Sequence, residues 1–231
     1  MLTDRKTSNI SIIIPTHNEA ENLSRLLPEL LSLPGVEVLV VDGCSSDKTV
    51  ETAKALGTKV ISVSTNKAVQ MNAGAQAARS DILLFLHADT RLPCGFAEQV
   101  QDTLNQPGIA AGAFLLSIDG KGFLLRIIEW LANLRAHLLQ MPYGDQGIFL
   151  RADMFSSVGG YPDLPIMEDF ELVRRLKCKG AIKIIPLAAV TSPRRWMKLG
   201  VLRTTAINQA ITIGYLLGLD PQKLAAWYRT K

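Results

Sequence analysis

Four short runs of mostly β-branched or apolar residues recur through the first half of the chain: Ile10 to Ile14, Val36 to Val41, Lys59 to Val63 and Ile82 to Leu86. Between them lie three helical patterns, Glu19 to Leu33, Asp47 to Leu56 and Lys67 to Arg79. Strands that are apolar without alternation are covered on both faces. The pattern therefore predicts an α/β fold, a mostly parallel central sheet with helices on both sides. Such sheets bind ligands beyond the carboxyl ends of their strands. Those ends are polar here: Pro15-Thr16-His17-Asn18-Glu19, then Asp42-Gly43-Cys44-Ser45-Ser46-Asp47, then Ser64-Thr65-Asn66-Lys67, and finally His87-Ala88-Asp89.

The second half is less regular. Ile109 to Ile118 reads as a longer strand, Lys121 to Gln140 as a helix, Gly147 to Arg151 as a short strand, and Met167 to Lys179 as a helix opening with two acids, which suits the positive end of its dipole. Asn18 and Asp47 stand where they would cap the helices that follow them. With 231 residues, 48% apolar, the chain has enough material for one sizeable core. No repeat or linker divides it, which predicts a single domain, residues 1–231, ending in a helical C-terminal extension. The 17 Gly and 11 Pro follow no period, which excludes collagen-like and low-complexity architectures. Cys44, Cys94 and Cys178 are odd in number and far apart. Neither a disulfide framework nor a zinc site is suggested, and a reducing cytoplasmic compartment is expected.

The net charge of +4 is unevenly spread. From Val190 onward seven Lys or Arg (Arg194, Arg195, Lys198, Arg203, Lys223, Arg229, Lys231) face the single acid Asp220. A basic tail on a mildly acidic body suggests an anionic partner: phosphate, pyrophosphate or a lipid headgroup. No basic and aromatic stripe accompanies it, so nucleic acid is not the expected partner. Asp4, Arg5 and Lys6 precede only a short apolar stretch, so no signal peptide is expected. The two most apolar long segments, Phe123 to Met141 and Leu199 to Leu219, carry charged or amide residues inside them and do not read as spanning helices. In the first, Leu124, Ile127, Ile128, Leu131, Leu134 and Leu138 recur at helical spacing, the pattern of a core-packed face. The alternative is peripheral attachment to the inner face of a membrane, with Arg126, Arg135 and the basic tail flanking apolar surface.

GxGxxG after the first strand, GxxxxGK[ST], GxSxG and HExxH are all absent, which argues against dinucleotide dehydrogenases, P-loop enzymes, α/β-hydrolases and zincins. What remains is acids at strand ends, an arrangement suited to a divalent cation holding a diphosphate. Four pieces in order then carry a resemblance: Ser11-Ile-Ile-Ile-Pro-Thr-His-Asn-Glu-Ala-Glu-Asn22, Val40-Val-Asp-Gly-Cys-Ser-Ser-Asp-Lys-Thr49, Leu86-His-Ala-Asp-Thr90 and Met167-Glu-Asp-Phe170. Together they resemble the family-two glycosyltransferases, whose Rossmann-like nucleotide-sugar fold is called GT-A. The compact length is also similar to that of the small subgroup named for association with radical-SAM and selenocysteine-domain proteins.

The resemblance implies a division into a nucleotide-sugar half (about 10–105), an acceptor half (about 106–196) and a basic helical tail (197–231). It implies that Pro15, Thr16 and Glu19 line the nucleoside and that Asp42 touches the donor, although the second acid usual at the next position is Gly43 here. Asp89 matches the last acid of the family's Asp-x-Asp motif, which binds Mg or Mn across the two phosphates; His87 replaces the first acid and stands beside or on the metal. Asp169, with Glu168 next to it, matches the acid pair whose Asp takes a proton from the acceptor. Asp145, in Tyr143-Gly-Asp-Gln-Gly147, is the candidate for acceptor binding. Ser192-Pro-Arg-Arg-Trp196 resembles a Gln-x-x-Arg-Trp element, placing Arg194 and Arg195 on the diphosphate and Trp196 on a sugar. Lys67 matches a basic position facing the nucleotide.

The activity so implied is a metal-dependent, inverting transfer of a sugar from a nucleotide diphosphate donor, UDP favoured, to a hydroxyl or carboxyl of a small-molecule or lipid acceptor. The rivals are nucleotidyl transfer on a related fold and a non-catalytic nucleotide-sugar-binding protein.

Overall fold

A computed structural model describes residues 9–64 and 66–230. Thr65, the Asp4-Arg5-Lys6 segment and Lys231 lie outside the described residues. The first half is β1 (Ile10–Thr16), α1 (Ala20–Leu31), β2 (Val36–Asp42), α2 (Thr49–Ala55), β3 (Lys59–Ser62), α3 (Lys67–Ala77) and β4 (Ile82–Phe85). Next come a two-residue strand β5 (Thr90–Arg91), α4 (Phe96–Leu104), β6 (Ile109–Ile118), α5 (Phe123–Leu139), a 3-10 turn at Gly144–Gln146, β7 (Ile148–Arg151) and α6 (Ala152–Ser157). The chain closes with α7 (Glu168–Lys177), β8 (Ala181–Thr191), α8 (Arg194–Leu199), α9 (Val201–Leu216) and α10 (Pro221–Arg229).

All eight strands form one sheet in the order β3-β2-β1-β4-β7-β6-β8-β5. The β1–β2, β1–β4, β2–β3 and β6–β8 pairs are parallel, whereas β4–β7, β6–β7 and β5–β8 are antiparallel. Register levels the strand ends: Thr16 lies opposite Asp42, and Asp42 opposite Ser62. The loops after β1 and β2 therefore open at one edge. Successive residues of β1 serve opposite cores. Ile12 and Ile14 pack with Leu23 and Leu27 of α1, whereas Ile13 packs with Met71 of α3 and Leu172 of α7. Each such fully buried side chain is worth about 1.5–3 kcal/mol, and this double coverage is why the strands read as unbroken apolar runs.

Three expectations are corrected. Asn18 does not cap α1: its φ is 56°, and its Oδ1 accepts from the Ser46 and Asp47 amides at 2.8 and 3.3 Å. It straps the β1 loop to the β2 loop. Asp47 serves two helices rather than one, accepting from the Thr49 amide at 2.9 Å and the Ala20 amide at 3.3 Å.

The third correction concerns α5, whose apolar spacing does not mark a core face. Only Leu125 and Ala136 are buried, while Leu124, Leu131, Leu134 and Leu138 are exposed. The reason lies in β6, which meets β7 only at Gly112. Beyond that point one edge of β6 needs partners, and α5 supplies them with its polar side. Asn133 bonds both the N–H and the C=O of Leu116 (2.8 and 3.0 Å), Glu129 accepts from the Ile118 amide, and Arg126 donates to the Ile118 carbonyl at 2.7 Å. Satisfying buried backbone outweighs covering leucines, so the apolar stripe turns outward.

Candidate active site

Two cavities open along the carboxyl edge. The first, about 570 Å³, is bounded by Pro15, Thr16, His17, Glu19, Gly43, Gln70 and Ala88. The second, about 630 Å³, is bounded by Tyr143, Gly144, Asp145, Glu168, Asp169, Arg195, Trp196 and residues of α9 and α10. Lys67, His87, Asp89, Arg194 and Arg229 line both, so the two cavities share a wall.

Pairing of β5 with β8 builds that wall. Thr90 lies opposite Thr191, their hydroxyls are 3.0 Å apart, and the Ser192 amide donates to the Asp89 carbonyl at 3.0 Å. The start of α8 is thereby held over the end of β4. Arg194 reaches Glu19 with both terminal nitrogens, at 2.8 and 3.3 Å, and stands 3.7 Å from Asp89. Burial pushes the Asp89 carboxyl above its ordinary range; Arg194 opposes this and Glu19 reinforces it.

On the other side of the wall, Lys67 donates to His87 Nε2 at 2.7 Å and lies 3.3 Å from both Glu168 and Asp169. Burial lowers the Lys67 ammonium, yet Asp169 and Glu168 outweigh it and hold the group above its usual value. Burial, helped by Lys67, pulls His87 down to about 3, so the imidazole is neutral and its Nε2 lone pair is engaged by the ammonium. The Glu168 carboxyl is raised by burial and by Asp169, with Lys67 opposing. Asp145 is raised by burial as well.

The local backbone is shaped for this crowding. Met167, immediately before the acid pair, has φ 67°, a left-handed conformation costly for a residue with a side chain. A Cβ on Gly144 would lie 2.2 Å from Asp169 Oδ2 and 2.9 Å from His87 Nε2, so only glycine lets the turn approach so closely. The turn is itself pinned from α5. Arg135 lies 3.6 Å over the Tyr143 ring and reaches Gln146, which donates to the Phe114 carbonyl. Within the second cavity four buried polar atoms have no hydrogen-bond partner among the described residues: Asp145 Oδ1, Asp169 Oδ1, Arg195 Nε and Trp196 Nε1. Each such atom costs about 1–3 kcal/mol. A ligand rich in hydroxyls would satisfy them.

The structure gathers most of the sequence candidates. Pro15, Thr16 and Glu19 line the first cavity, Asp145 and Trp196 the second, and Lys67, His87, Asp89 and Arg194 the wall. Arg195 faces the second cavity, its guanidinium 3.8 Å over the Tyr228 ring, rather than the first. Asp42 is a correction: it is buried and lines neither cavity, its carboxylate accepting from the Ser45 amide at 3.0 Å and from the Ser45 hydroxyl. It shapes the β2 loop. Sequence reasoning missed Gln70, which fills the space over Gly43, and Tyr143 and Tyr228, which flank the second cavity. The signal for Gln70 was the absent side chain at Gly43. Tyr228 had none.

Among the described residues no three His, Cys, Asp or Glu side chains gather to hold a metal ion. Asp89 alone offers a hard oxygen at the wall. That fits a cation whose other ligands come from phosphate oxygens and water, as Mg and Mn accept.

Comparison with known proteins places this geometry. Residues 11–157 match the sequence profile described as glycosyl transferase family 2. Over 95 residues the chain is 38% identical to the 4,4'-diaponeurosporenoate glycosyltransferase of Staphylococcus haemolyticus, a match covering 37% of this chain and 25% of that one. Among solved structures, the fold is similar to that of the mannosyltransferase PcManGT from Pyrobaculum calidifontis in complex with GDP-Man and Mn2+ (TM-score 0.61, 17% identity, covering 79% of this chain and 56% of that one). It is also similar to S. aureus TarS 1-349 in complex with UDP-GlcNAc (TM-score 0.62, 18% identity, covering 80% and 58%). The chain thus spans a quarter of that curated relative and somewhat more than half of these solved chains.

Proposed function

Because the chain belongs to glycosyl transferase family 2 and has the GT-A fold, we propose that it moves a sugar, with inversion, from a nucleoside diphosphate donor to a hydroxyl or carboxyl of an apolar acceptor. The observation that carries this is the pair of cavities meeting at Lys67, His87, Asp89 and Arg194. In this reading the first cavity takes the nucleotide, UDP favoured, with Pro15, Thr16 and Glu19 against the nucleoside. The second takes the acceptor, with Asp145 and Trp196 on its polar end and an apolar wall of Pro165, Ile166, Met167, Phe170 and Ile211 beyond.

Asp169, held between Lys67 and Gly144, accepts the proton of the acceptor hydroxyl while that oxygen bonds the anomeric carbon. The bond from that carbon to the phosphate oxygen breaks, and its electron pair leaves with the diphosphate. Glu168 keeps Lys67 in place beside the base. Arg194 exchanges Glu19 for the diphosphate, and Arg195 closes the acceptor side. Asp89 would hold Mg or Mn; such an ion neutralises charge on the departing diphosphate. His87 is not a ligand in this reading, since Lys67 engages its Nε2.

An apolar acceptor is supported by the similarity to a 4,4'-diaponeurosporenoate glycosyltransferase and by the apolar part of the cavity wall. Nucleotide diphosphates and their sugars, screened by thermal shift with and without Mn, test the donor. A melt indifferent to all of them, with no sugar transferred to apolar alcohols or acids, refutes the proposal.

A further inference from the structure

The outward face of α5 is a surface of a kind that soluble chains rarely leave open. Phe123, Trp130, Leu131, Leu134 and Leu138 are all exposed, the first, second and last at 78%, 62% and 73%. At helical spacing they fall within an arc of about 100°. The opposite side of the helix is bound to β6 through Asn133, Glu129 and Arg126, so α5 cannot roll its leucines inward without giving up those bonds. α9 packs beside α5 and likewise leaves Leu202, Ile213, Leu216 and Leu217 exposed.

Charge identifies what covers this surface. Between Val190 and Thr230 the one acid is Asp220, and its carboxylate already receives the Gln222 amide as the cap of α10. Lys198, Arg203 and Lys223 lie on α8, α9 and α10, with no acidic partner within ion-pair distance among the described residues. Arg126, which borders the α5 stripe, is already paired with Glu129 at 2.9 Å. Exposed apolar faces on α5 and α9, together with unpaired cations on α8, α9 and α10, match the interface of an anionic bilayer, apolar below and negative at the headgroups. A second copy of this chain would bring the same positive charges against themselves.

We propose that α5 and α9 seat the protein on an anionic lipid bilayer, lying in the plane of the interface. No helix among the described residues is long and apolar enough to cross a membrane; contact of this kind requires none. The inference rests on the α5 face and its charges, not on the transfer chemistry. Because α9 also lines the second cavity through Asn208, Ile211 and Thr212, docking would bring that cavity to the lipid surface.

The test is co-sedimentation of the full chain with phosphatidylcholine vesicles with or without phosphatidylglycerol. The expected result is binding to the anionic vesicles, weakening as salt is raised. Binding should fall about tenfold or more in the Trp130→Gln/Leu138→Gln double variant and in Arg203→Glu/Lys223→Glu, whose thermal melts stay unchanged. Trp130→Phe keeps the apolar face and stays bound, but loses the part of the fluorescence that brominated lipid quenches. No binding to phosphatidylglycerol vesicles, undiminished binding by either double variant, or a solution dimer that Trp130→Gln/Leu138→Gln splits would each overturn the proposal.

Discussion

The two cavities are built by opposite means. Around the first cavity, strand ends aligned by parallel register present loops whose polar groups are already engaged: Asn18 straps Ser46 and Asp47, Asp47 binds two helix starts, and Asp42 binds Ser45. Around the second cavity, a 3-10 turn, a left-handed Met167 and three late helices surround acids with raised carboxyls and four polar atoms without partners among the described residues. The first is a finished platform; the second stores unmet interactions. Substitutions on the platform should therefore cost stability, whereas those in the second cavity should cost activity.

The sharpest contrast comes from Asp169→Asn. Turnover should fall about 10³-fold through loss of the proton acceptor, with the thermal shift produced by the nucleotide diphosphate intact; a turnover within a few-fold of the parent would remove Asp169 from the mechanism. Gly144→Ala should follow at about 10²-fold, because its Cβ displaces the Asp169 carboxylate. Donor binding should again be retained, as measured by nucleotide titration.

Lys67→Ala breaks the division, since this residue belongs to both sides. Stability should fall by about 2 kcal/mol at neutral pH, as two carboxylates lose their shared cation. The sign with pH is fixed by Glu168, whose carboxyl already sits above its unfolded value and would rise further. A carboxyl so raised costs stability progressively as pH climbs through the interval between its unfolded and folded values. The deficit of the variant should thus be largest in melts above neutrality and shrink toward pH 4, near the ordinary carboxylate value. A deficit constant with pH would contradict the coupling.

On the platform, Asn18→Ala should cost about 1 kcal/mol by urea unfolding, because Ser46 and Asp47 lose their strap. Last and smallest, Asp145→Asn should raise the melt slightly above neutrality and leave it unchanged near pH 4, since burial already disfavours its charge. Destabilisation by this change would show that the second cavity is no less satisfied than the first.

How much of this was legible in the sequence follows the same divide. β1 to β4 and the helices between them were readable because double burial writes itself as unbroken apolar runs, and their polar ends pointed to the first cavity. β8 was not readable: Pro186 interrupts it, and its alternation is broken by register shifts against β6. Asp89 and Arg194 were singled out through motif order, but nothing in their spacing reveals that the pairing of β5 with β8 brings them together. α5 misled because helical spacing says which residues share a face, not which way the face looks. Asp42 misled because an acid at a strand end can serve its own loop, as the Ser45 contacts show.

One feature of the wall bears on kinetics. Arg194 and Asp89 border both cavities at once, and Arg194 spans the gap to Glu19 near the other end of the chain. Drawing Arg194 onto an incoming phosphate releases Glu19 and redraws the boundary of the neighbouring chamber. Under the proposed function the two substrates should not load independently: each one's apparent Michaelis constant should change with the concentration of the other, and double-reciprocal plots should cross off the abscissa, whereas independent loading would put the crossing on it.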